Sequence, residues 1–241
     1  MKRKTVSIRC FADGSYKYEA GRALVAVDVI RATTTAVTAI SMGRQCHVVP
    51  TLQAAFETAS RLSNALLTGE VGGQMPDGFE LTNSPAQLAA RSDVSRPVVL
   101  LSSTGTRLMC GIMHSVSAYV ACFRNYRATI AHLANEHNAA TLIGAGTNGD
   151  FREEDQMCCA WIAEGLIQSG FDPEDDTTLR IVQRWRGAPR DAFRISQSVA
   201  YLRRSGQLRD LEFILTHFDD VDTPAKVSAN GNTALAAAAV V

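Results

Sequence analysis

Short apolar runs alternate with segments of helical periodicity along most of the chain, and this alternation constrains the fold more than any other feature. The predicted strands cover 5–10, 23–29, 45–50, 65–69, 97–102, 115–120 and 139–145. The predicted helices cover 33–42, 51–62, 84–91, 105–112, 124–137 and 152–169, with further helix near 190–204 and 207–216. Because buried strands separated by helices form sheets covered on their faces, we predict an α/β fold with a layered sheet and a helical C-terminal third.

The sequence predicts one large domain. We find no internal repeat and no Pro- or Gly-rich linker long enough to separate independent units, and 241 residues suffice for one substantial core. We therefore expect a single α/β domain over 1–225, either as one body or as two intimate halves that meet near residue 125. An acidic, turn-rich break at 171–178 precedes the helical third, and the small apolar residues of 226–241 predict a loosely ordered tail.

Charge and apolar content exclude several classes of protein. The formal net charge is zero, which argues against a broad cationic surface for nucleic acid but is compatible with a local anion pocket. No apolar run approaches the roughly 20 residues that span a bilayer, and the basic N-terminus leads into alternating residues instead of a signal-peptide core. We expect a cytoplasmic protein without nucleic-acid or membrane partners, and a homodimer stays open.

The six cysteines show neither a C-x-x-C pair nor a metal-finger spacing. Cys158 and Cys159 are adjacent within a predicted helix. The pattern is typical of buried structural thiols.

The first polar motif is V-D-V-I-R-A-T-T-T at 27–35, where an apolar strand runs into Asp28 and then Arg31. In open α/β sheets ligands bind at the carboxyl ends of strands. The hydroxyls of Thr33, Thr34 and Thr35 and the free N–H groups of a first helical turn suit a phosphate dianion, which Arg31 can grip with two parallel hydrogen bonds. The alternative is that Thr33 only caps the helix and Arg31 pairs with Asp28 at the surface.

The second motif joins G-E-V-G-G at 69–73 to D-G-F-E-L-T-N-S-P at 77–85. Glu70 ends a predicted strand, and the glycines that follow permit close approach of a backbone to a ligand or metal. Ser84 and Pro85 have the pattern of a helix N-cap and first helical residue, so Ser84 has a structural explanation as well.

Two further motifs follow later strands. S-S-T-G-T-R at 102–107 offers a second anion cradle, although such turns are frequent in α/β proteins. The segment 144–155 matches Gly-x-Gly-x-x-Gly, but no strand carries the acidic residue that a dinucleotide site needs. Its carboxylates, Glu153 to Asp155, either stabilise the start of a helix or contribute oxygen ligands for a divalent cation.

Common catalytic signatures are missing from the chain. We find no Cys-x₅-Arg loop, no Asp-x-Asp-x-Thr motif at a strand end, no Arg-His-Gly, no Gly-x-Ser-x-Gly, no Walker A motif and no His-Glu-x-x-His. The known covalent phosphatase signatures therefore do not explain this sequence.

Taken in order, these motifs resemble the 2-phosphosulfolactate phosphatase family, a Mg²⁺-dependent group first associated with coenzyme M biosynthesis. The matching segments are 27–35, 69–73, 77–85, 102–107 and G-x-x-G-x-F-x-x-E-D at 146–155, with a weaker echo in D-L-E-F at 210–213 followed by Asp219. The similarity spans about 25–220, and V-D-V-I-R-A-T-T-T is its most specific part.

The resemblance implies Mg²⁺-dependent hydrolysis of a small anionic phosphomonoester by in-line attack on phosphorus. It makes Asp28, Arg31, Glu70 and Asp155 the catalytic candidates, with the three carboxylates as Mg²⁺ ligands or water-orienting groups. The residues implied in substrate binding are Thr33, Thr34, Thr35, Gly72, Gly73, Asn83, Ser84, Ser103, Thr104, Gly105, Thr106, Gly146, Gly149 and Glu154.

Two departures from the family pattern affect the expected substrate. Val71 stands where the family usually carries Arg, and Thr104 stands where it usually carries Asn. We therefore expect the end of the substrate opposite the phosphate to be recognised differently. The alternatives are a phosphatase of another metabolite, such as a sugar phosphate or nucleotide in a specialised biosynthetic pathway, a transferase, or a non-catalytic binding protein.

Overall fold

The protein is described by a computed structural model over residues 3–11, 21–146 and 150–228, together with the backbone of 234–237. Within these residues, ten strands form one sheet in the order β4-β5-β3-β10-β9-β6-β2-β7-β1-β8. The strands are β1 Thr5–Cys10, β2 Ala23–Val27, β3 Cys46–Val49, β4 Leu66–Gly69, β5 Val98–Leu101, β6 Ala118–Ala121, β7 Ala139–Gly144, β8 Asp172–Pro173, β9 Ala225–Ser228 and β10 Ala234–Ala237.

Helices cover the sheet, as the apolar pattern predicts. They are α1 Ala32–Ser41, α2 Leu52–Ser60, α3 Pro85–Ala89, α4 Gly105–Ile112, α5 Tyr126–Glu136, α6 Glu153–Gln168, α7 Asp176–Trp185, α8 Gln197–Arg204 and α9 Leu208–Thr216, with a short 3₁₀ helix at Ala192–Ile195. One apolar cluster packs α5 to α9 against β1, β2, β6 and β7. A second packs α1 and α4 against β2, β3, β5 and β6. The predicted α/β class is confirmed.

Strand pairing divides the sheet into two parallel groups joined by an antiparallel hairpin. β4, β5 and β3 are parallel to one another, as are β6, β2, β7, β1 and β8. The hairpin β9–β10 pairs with β6 on one side and with β3 on the other. One sheet thus contains strands from both sides of residue 125.

The hairpin occupies part of 226–241, the segment that was expected to be a loosely ordered tail. Ala225 and Val227 are buried, and β10 lies between β9 and β3 in the interior of the sheet. The outer partners of this hairpin, β6 and β3, lie far away in sequence, so a local reading of small residues does not reveal the pairing. Residues 229–233 and 238–241 lie outside the described part of the chain.

A second difference concerns the predicted break at 171–178, which contains β8 and the start of α7. The Asp175 side chain accepts a hydrogen bond from the Thr178 N–H, as an N-cap does. The acidic residues that predicted a turn therefore begin a helix.

The cysteine and membrane expectations can also be compared with the structure. None of the six cysteines forms a disulfide, and all except Cys110 are buried, as predicted. In the described part of the chain, no helix combines the length and apolar character that crossing a membrane requires.

Candidate active site

A cavity of about 660 Å³ opens where β2, β4, β5 and β7 end. Four sequence motifs reach it from these strand ends, and α8 closes the opposite side. The lining residues are Asp28, Ile30, Arg31, Glu70, Gly72, Gly73, Asn83, Ser102, Ser103, Thr104, Arg107, Gly146, Arg152, Asp155, Gln197, Ser198, Tyr201 and Arg204.

Two of the buried charged groups that line the cavity are carboxylates. Asp28 follows β2, and its Oδ1 accepts the N–H of Ala32 at 3.2 Å. Asp155 lies in the first turn of α6, and its Oδ1 accepts the N–H of Val29 at 2.8 Å while its Oδ2 accepts that of Gly146 at 3.4 Å. These backbone hydrogen bonds fix the two carboxylates at the ends of β2 and β7.

Burial raises the pKa of both carboxyl groups. It raises the pKa of Asp28 to about 7, with the charges of Glu70 and Glu154 acting in the same direction. Burial, followed by the charge of Asp28, raises the pKa of Asp155 well above its usual range. The two carboxylates therefore disfavour each other's ionised form, and a bound cation or a proton relieves the repulsion.

Gly105 allows α4 to start directly against this pair. A Cβ at position 105 would stand 2.1 Å from Asp28 Oδ2 and 2.5 Å from the Cβ of Ala32. Asp28 follows β2 and Gly105 begins the helix after β5, so the segments after these two strands lie in contact. A side chain at residue 105 would displace the Asp28 carboxylate.

Arg31 is buried beside the carboxylates, but its ionic partner is Asp210 of α9. The two atoms Arg31 Nη1 and Asp210 Oδ2 are 2.5 Å apart, and both side chains are almost wholly buried. Asp210 Oδ1 accepts hydrogen bonds from Ser84 Oγ at 2.5 Å and from the N–H of Ala86 at 3.2 Å. The surface pair of Arg31 with Asp28 that the sequence left open is not what the structure shows.

Glu70 joins the loops after β4 and β5. Its Oε1 accepts the N–H of Ser103 at 2.6 Å, and its Oε2 accepts Ser103 Oγ at 2.8 Å and the N–H of Gly73 at 2.7 Å. The N–H of Gly72 in turn donates to Ser103 Oγ at 2.9 Å. Both carboxylate oxygens of Glu70 thus accept hydrogen bonds that connect the loop after β4 to the loop after β5.

The structure does not bring the three threonines of the first motif into the cavity lining. Thr33 Oγ1 donates to the carbonyl of Asp28 at 2.8 Å, and Thr34 Oγ1 donates to that of Val29 at 2.8 Å. Thr35 Oγ1 makes a 3.5 Å contact with the Asn83 carbonyl. Hydroxyls at helix starts commonly bond nearby backbone groups, and here they fix the turn that carries Asp28 and Arg31.

Two more predicted binding residues have structural partners. Thr106 Oγ1 donates to the carbonyl of Ser102 at 2.9 Å and accepts its N–H. Ser84 caps α3 by accepting the N–H of Gln87, the alternative that the sequence offered, and donates to Asp210. Neither residue lines the cavity.

The remaining predicted residues divide in three ways. Gly72, Gly73, Asn83, Ser103, Thr104 and Gly146 line the cavity. Glu154 is buried behind it, where burial raises its pKa. Gly149 lies outside the described residues. Asn83 Oδ1 is buried and has no hydrogen-bond partner in the described part of the chain, which is typical of a group that faces a ligand or water.

The sequence missed the side of the cavity formed by α8. Tyr201 Oη donates to the carbonyl of Gly73 at 2.7 Å, and Arg152 hydrogen-bonds Gln197 Oε1. Arg107 is part of the S-S-T-G-T-R motif, but the sequence assigned it no function in the site. For Asp210, the weak match of D-L-E-F at 210–213 to the family was the one sequence signal. α8 does not follow a strand, so the rule that ligands bind at strand ends does not point to it. Its position at the cavity follows only from tertiary packing.

The predicted metal set of Asp28, Glu70 and Asp155 is not found as a ready-made cluster. Over residues 3–11, 21–146 and 150–228, no group of three His, Cys, Asp or Glu side chains is arranged to hold a metal. Asp28 and Asp155 nevertheless form a buried carboxylate pair. Mg²⁺ commonly binds through one or two carboxylates, with waters and substrate phosphate completing its octahedron, so the pair fits this ion.

Comparison with known proteins supports a phosphatase family. A family model described as 2-phosphosulpholactate phosphatase matches residues 12–222. A probable 2-phosphosulfolactate phosphatase of Pseudothermotoga lettingae is 38% identical over 142 residues, 59% of this chain and 61% of that protein. Proteins of the same name from Deinococcus radiodurans and Thermotoga maritima are 30% and 29% identical, over 78% and 86% of this chain and 80% and 90% of theirs.

Proposed function

The chain belongs to the 2-phosphosulfolactate phosphatase family, a family of phosphoric monoester hydrolases, and from this premise we propose that it is a Mg²⁺-dependent phosphatase of a small anionic phosphomonoester. The observation that carries the proposal is the burial of Asp28 and Asp155 beside Arg31 in one cavity at the strand ends. Phosphoryl transfer requires positioning and charge neutralisation more than covalent chemistry, and this site combines carboxylates for a cation with a guanidinium for an anion.

Each group of the cavity has a part in the proposed reaction. Mg²⁺, bound by Asp28 and Asp155, would supply charge neutralisation at the phosphoryl oxygens. Arg31, held on one edge by Asp210, presents its remaining N–H groups to the phosphate. The first turn of α4, whose N-cap Thr104 makes no side-chain cap, offers backbone N–H groups to the same anion.

Glu70 acts in this proposal as a positioning residue. Its hydrogen bonds to Ser103 and Gly73 fix the shape of two cavity loops. The family resemblance implied a metal-ligand role for Glu70, whereas this proposal rests on its three hydrogen bonds to the two loops and assigns Mg²⁺ to Asp28 and Asp155.

The name of the relatives suggests 2-phosphosulfolactate as a substrate, but we propose that this chain acts on a different phosphomonoester or on several of them. Thr104 lines the cavity, so its difference from the usual Asn alters the surface that a substrate meets. Hydrolysis of another phosphorylated metabolite is thus the second candidate function. A cytoplasmic location and a homodimer stay predictions.

The test is phosphate release from a panel of phosphorylated hydroxy acids, sugars and nucleotides, with Mg²⁺, after EDTA, and after Mg²⁺ is restored. We expect activity to disappear with EDTA and to return with Mg²⁺. Asp155→Asn should lower kcat by about 100-fold or more, because removing a group that stabilises the transition state typically costs that much. Glu153→Gln changes a neighbour that does not line the cavity and serves as the control. Full turnover after exhaustive EDTA treatment would refute the metal dependence.

A further inference from the structure

The side-chain amide of Asn83 is almost wholly buried and yet makes no hydrogen bond within the described part of the chain. The residue is 3% exposed and lines the cavity. Among residues 3–11, 21–146 and 150–228, its Oδ1 has no donor and its Nδ2 has no acceptor. A buried amide without partners lowers stability, and such groups are rare in folded proteins. A ligand or a water molecule in the cavity is therefore the expected partner of this amide.

The backbone around Asn83 is fixed by hydrogen bonds from two other elements. The carbonyl of Thr82 accepts a hydrogen bond from Thr68 Oγ1 of β4 at 2.7 Å. Thr35 Oγ1 of α1 lies 3.5 Å from the carbonyl of Asn83. The next residue, Ser84, is the N-cap of α3. The amide is thus carried by a rigid segment, as precise orientation of a reactant requires.

Asp210 connects this segment to the guanidinium that is proposed to bind phosphate. Its Oδ2 accepts a hydrogen bond from Arg31 Nη1 at 2.5 Å, and its Oδ1 accepts one from Ser84 Oγ at 2.5 Å. Ser84 directly follows Asn83 in the chain. Arg31 and Asn83 therefore belong to the same part of the cavity wall, and a phosphate bound by Arg31 has the amide beside it.

An amide group can bond both reactants of a hydrolysis at such a site. A phosphomonoester dianion offers only hydrogen-bond acceptors, whereas a water molecule also offers donors. The NH₂ group of Asn83 can donate to a phosphoryl oxygen while its carbonyl oxygen accepts an O–H of the water, and a half-turn of the amide exchanges the two ends. A carboxylate at this position would repel the phosphate.

We propose that Asn83 is a catalytic residue that orients the attacking water toward phosphorus. This inference rests on the proposed function and adds the group that positions the nucleophile. The water oxygen bonds to phosphorus as the ester P–O bond breaks, one water proton passes to solvent, and the alcohol oxygen takes a proton from solvent. The amide gains and loses no proton, so it acts by orientation, as side-chain amides do in other phosphoryl-transfer enzymes.

The test measures kcat and KM of the wild type, Asn83→Ala and Thr82→Ala in the presence of Mg²⁺. In Asn83→Ala, kcat should fall by about 10- to 150-fold, the range for loss of a charged hydrogen bond. KM should change much less, because the bond to the water is completed only in the transition state. Thr82→Ala changes the same segment outside the cavity lining and should keep the wild-type constants. Wild-type kcat in Asn83→Ala would overturn the proposal.

A matched pair of substrates separates orientation of water from binding of the substrate's alcohol portion. Isopropyl phosphate and glycerol 2-phosphate have the same branched skeleton, but only glycerol 2-phosphate carries hydroxyl donors. Asn83→Ala should lower kcat by the same factor for both, and for every other monoester that the wild type hydrolyses. A loss confined to substrates with hydroxyl donors and expressed in KM would overturn the proposal.

Thermal melts separate catalysis from a structural role. Asn83→Ala should melt at or above the wild-type temperature, because it removes a buried polar group without partners. Asn83→Asp keeps the shape but adds a negative charge, so it should lower kcat/KM at least as strongly. A melting temperature that falls together with kcat in both variants would overturn the proposal.

The two levels of inference fail in different ways. An active wild type with an equally active Asn83→Ala overturns the role of Asn83 and leaves the proposed function standing. A wild type that hydrolyses no monoester overturns both.

Discussion

At the scale of single residues, Arg31 has one ionic partner in the structure, Asp210, and a second in the proposed reaction, the substrate phosphate. Arg31 bonds the buried carboxylate of Asp210 through Nη1 and lines the cavity with the rest of its side chain. A lysine keeps the charge but has one nitrogen and cannot reproduce two parallel hydrogen bonds. The difference between the two side chains should therefore appear in catalysis.

We predict that Arg31→Lys lowers kcat/KM by roughly 10- to several-hundred-fold, since a charged hydrogen bond contributes about 1.5–3 kcal/mol and more when the transition state is the better partner. Arg31→Ala should be worse and should also lower the melting temperature, because it leaves Asp210 buried without a cation. Kinetics and thermal melts on both variants provide the measurement. Turnover near the wild-type level in Arg31→Lys would remove Arg31 from the catalytic site.

Val71 is the second residue whose substitution is informative. Its side chain is 51% exposed in the turn between Glu70 and Gln74, and it does not line the cavity. An arginine is long enough to extend from such a position toward the neighbouring loops, where it would add a cation to the substrate end.

We predict that Val71→Arg raises the kcat/KM ratio of a doubly anionic over a singly anionic monoester by about tenfold or less, the range of an exposed ion pair. Steady-state kinetics with both substrates measure this ratio, and Val71→Gln controls for the longer side chain without charge. An equal change in both variants would show that length and not charge matters.

At the scale of secondary-structure elements, a charge cluster connects the loop between α1 and β3 to the loop before β5. Asp93 contacts three arginines: Arg44 Nη2 at 2.9 Å, Arg91 Nη2 at 2.5 Å and Arg96 Nη1 at 3.2 Å. The hydrogen bond from Arg91, followed by those from Arg44 and Arg96, holds the pKa of Asp93 well below its usual range. The Arg44 side chain is buried, and Asp93 is its one carboxylate partner among the described residues. Asp93 itself is partly exposed.

We predict that Asp93→Asn lowers the free energy of unfolding by about 1–3 kcal/mol, because a buried guanidinium loses its charged partner. Since the pKa of Asp93 is lowered in the folded state, its contribution is present above the unfolded pKa and is lost as the pH falls through the folded value. Urea unfolding at pH 7 and under acid conditions measures both effects. A difference between the two proteins that persisted undiminished in acid would contradict the charge explanation.

At the scale of the whole molecule, the burial of Asp28 and Asp155 at the cavity lowers the stability of the fold when both are ionised. Both pKa values are raised, so the folded state holds more protons than the unfolded chain between about pH 4 and the folded pKa, which for Asp28 is about 7. Stability therefore falls as the pH rises through this window.

We predict that the melting temperature of the EDTA-treated protein falls between pH 5 and pH 8 and that Mg²⁺ restores it, most strongly at the upper end. Asp28→Asn should flatten the pH dependence and abolish much of the Mg²⁺ effect, because it removes one of the repelling charges and one proposed ligand. Differential scanning calorimetry with and without Mg²⁺ measures this. A melting temperature that rose with pH in EDTA would contradict the raised pKa of the pair.

The sequence by itself determined most of the helices and strands and identified residues that line the cavity at the ends of β2, β4, β5 and β7. Apolar periodicity is a local property, and polar residues that follow a buried strand must lie at the sheet edge whatever the topology. Asp28, Arg31, Glu70, Ser103 and Asp155 could therefore be identified before their contacts were seen. The order of the motifs also identified the family.

Only the tertiary structure decided which groups meet. Arg31 and Asp210 are 179 positions apart, and Tyr201 and Gly73 are 128 apart, so no local pattern encodes either contact. The threonine hydroxyls, which their position at a helix start suggested for phosphate, bond the backbone instead, because the folded turn places carbonyls beside them. The hairpin β9–β10 and the cavity-lining residues of α8 are placed by long-range packing, which depends on the whole chain and not on any segment of it.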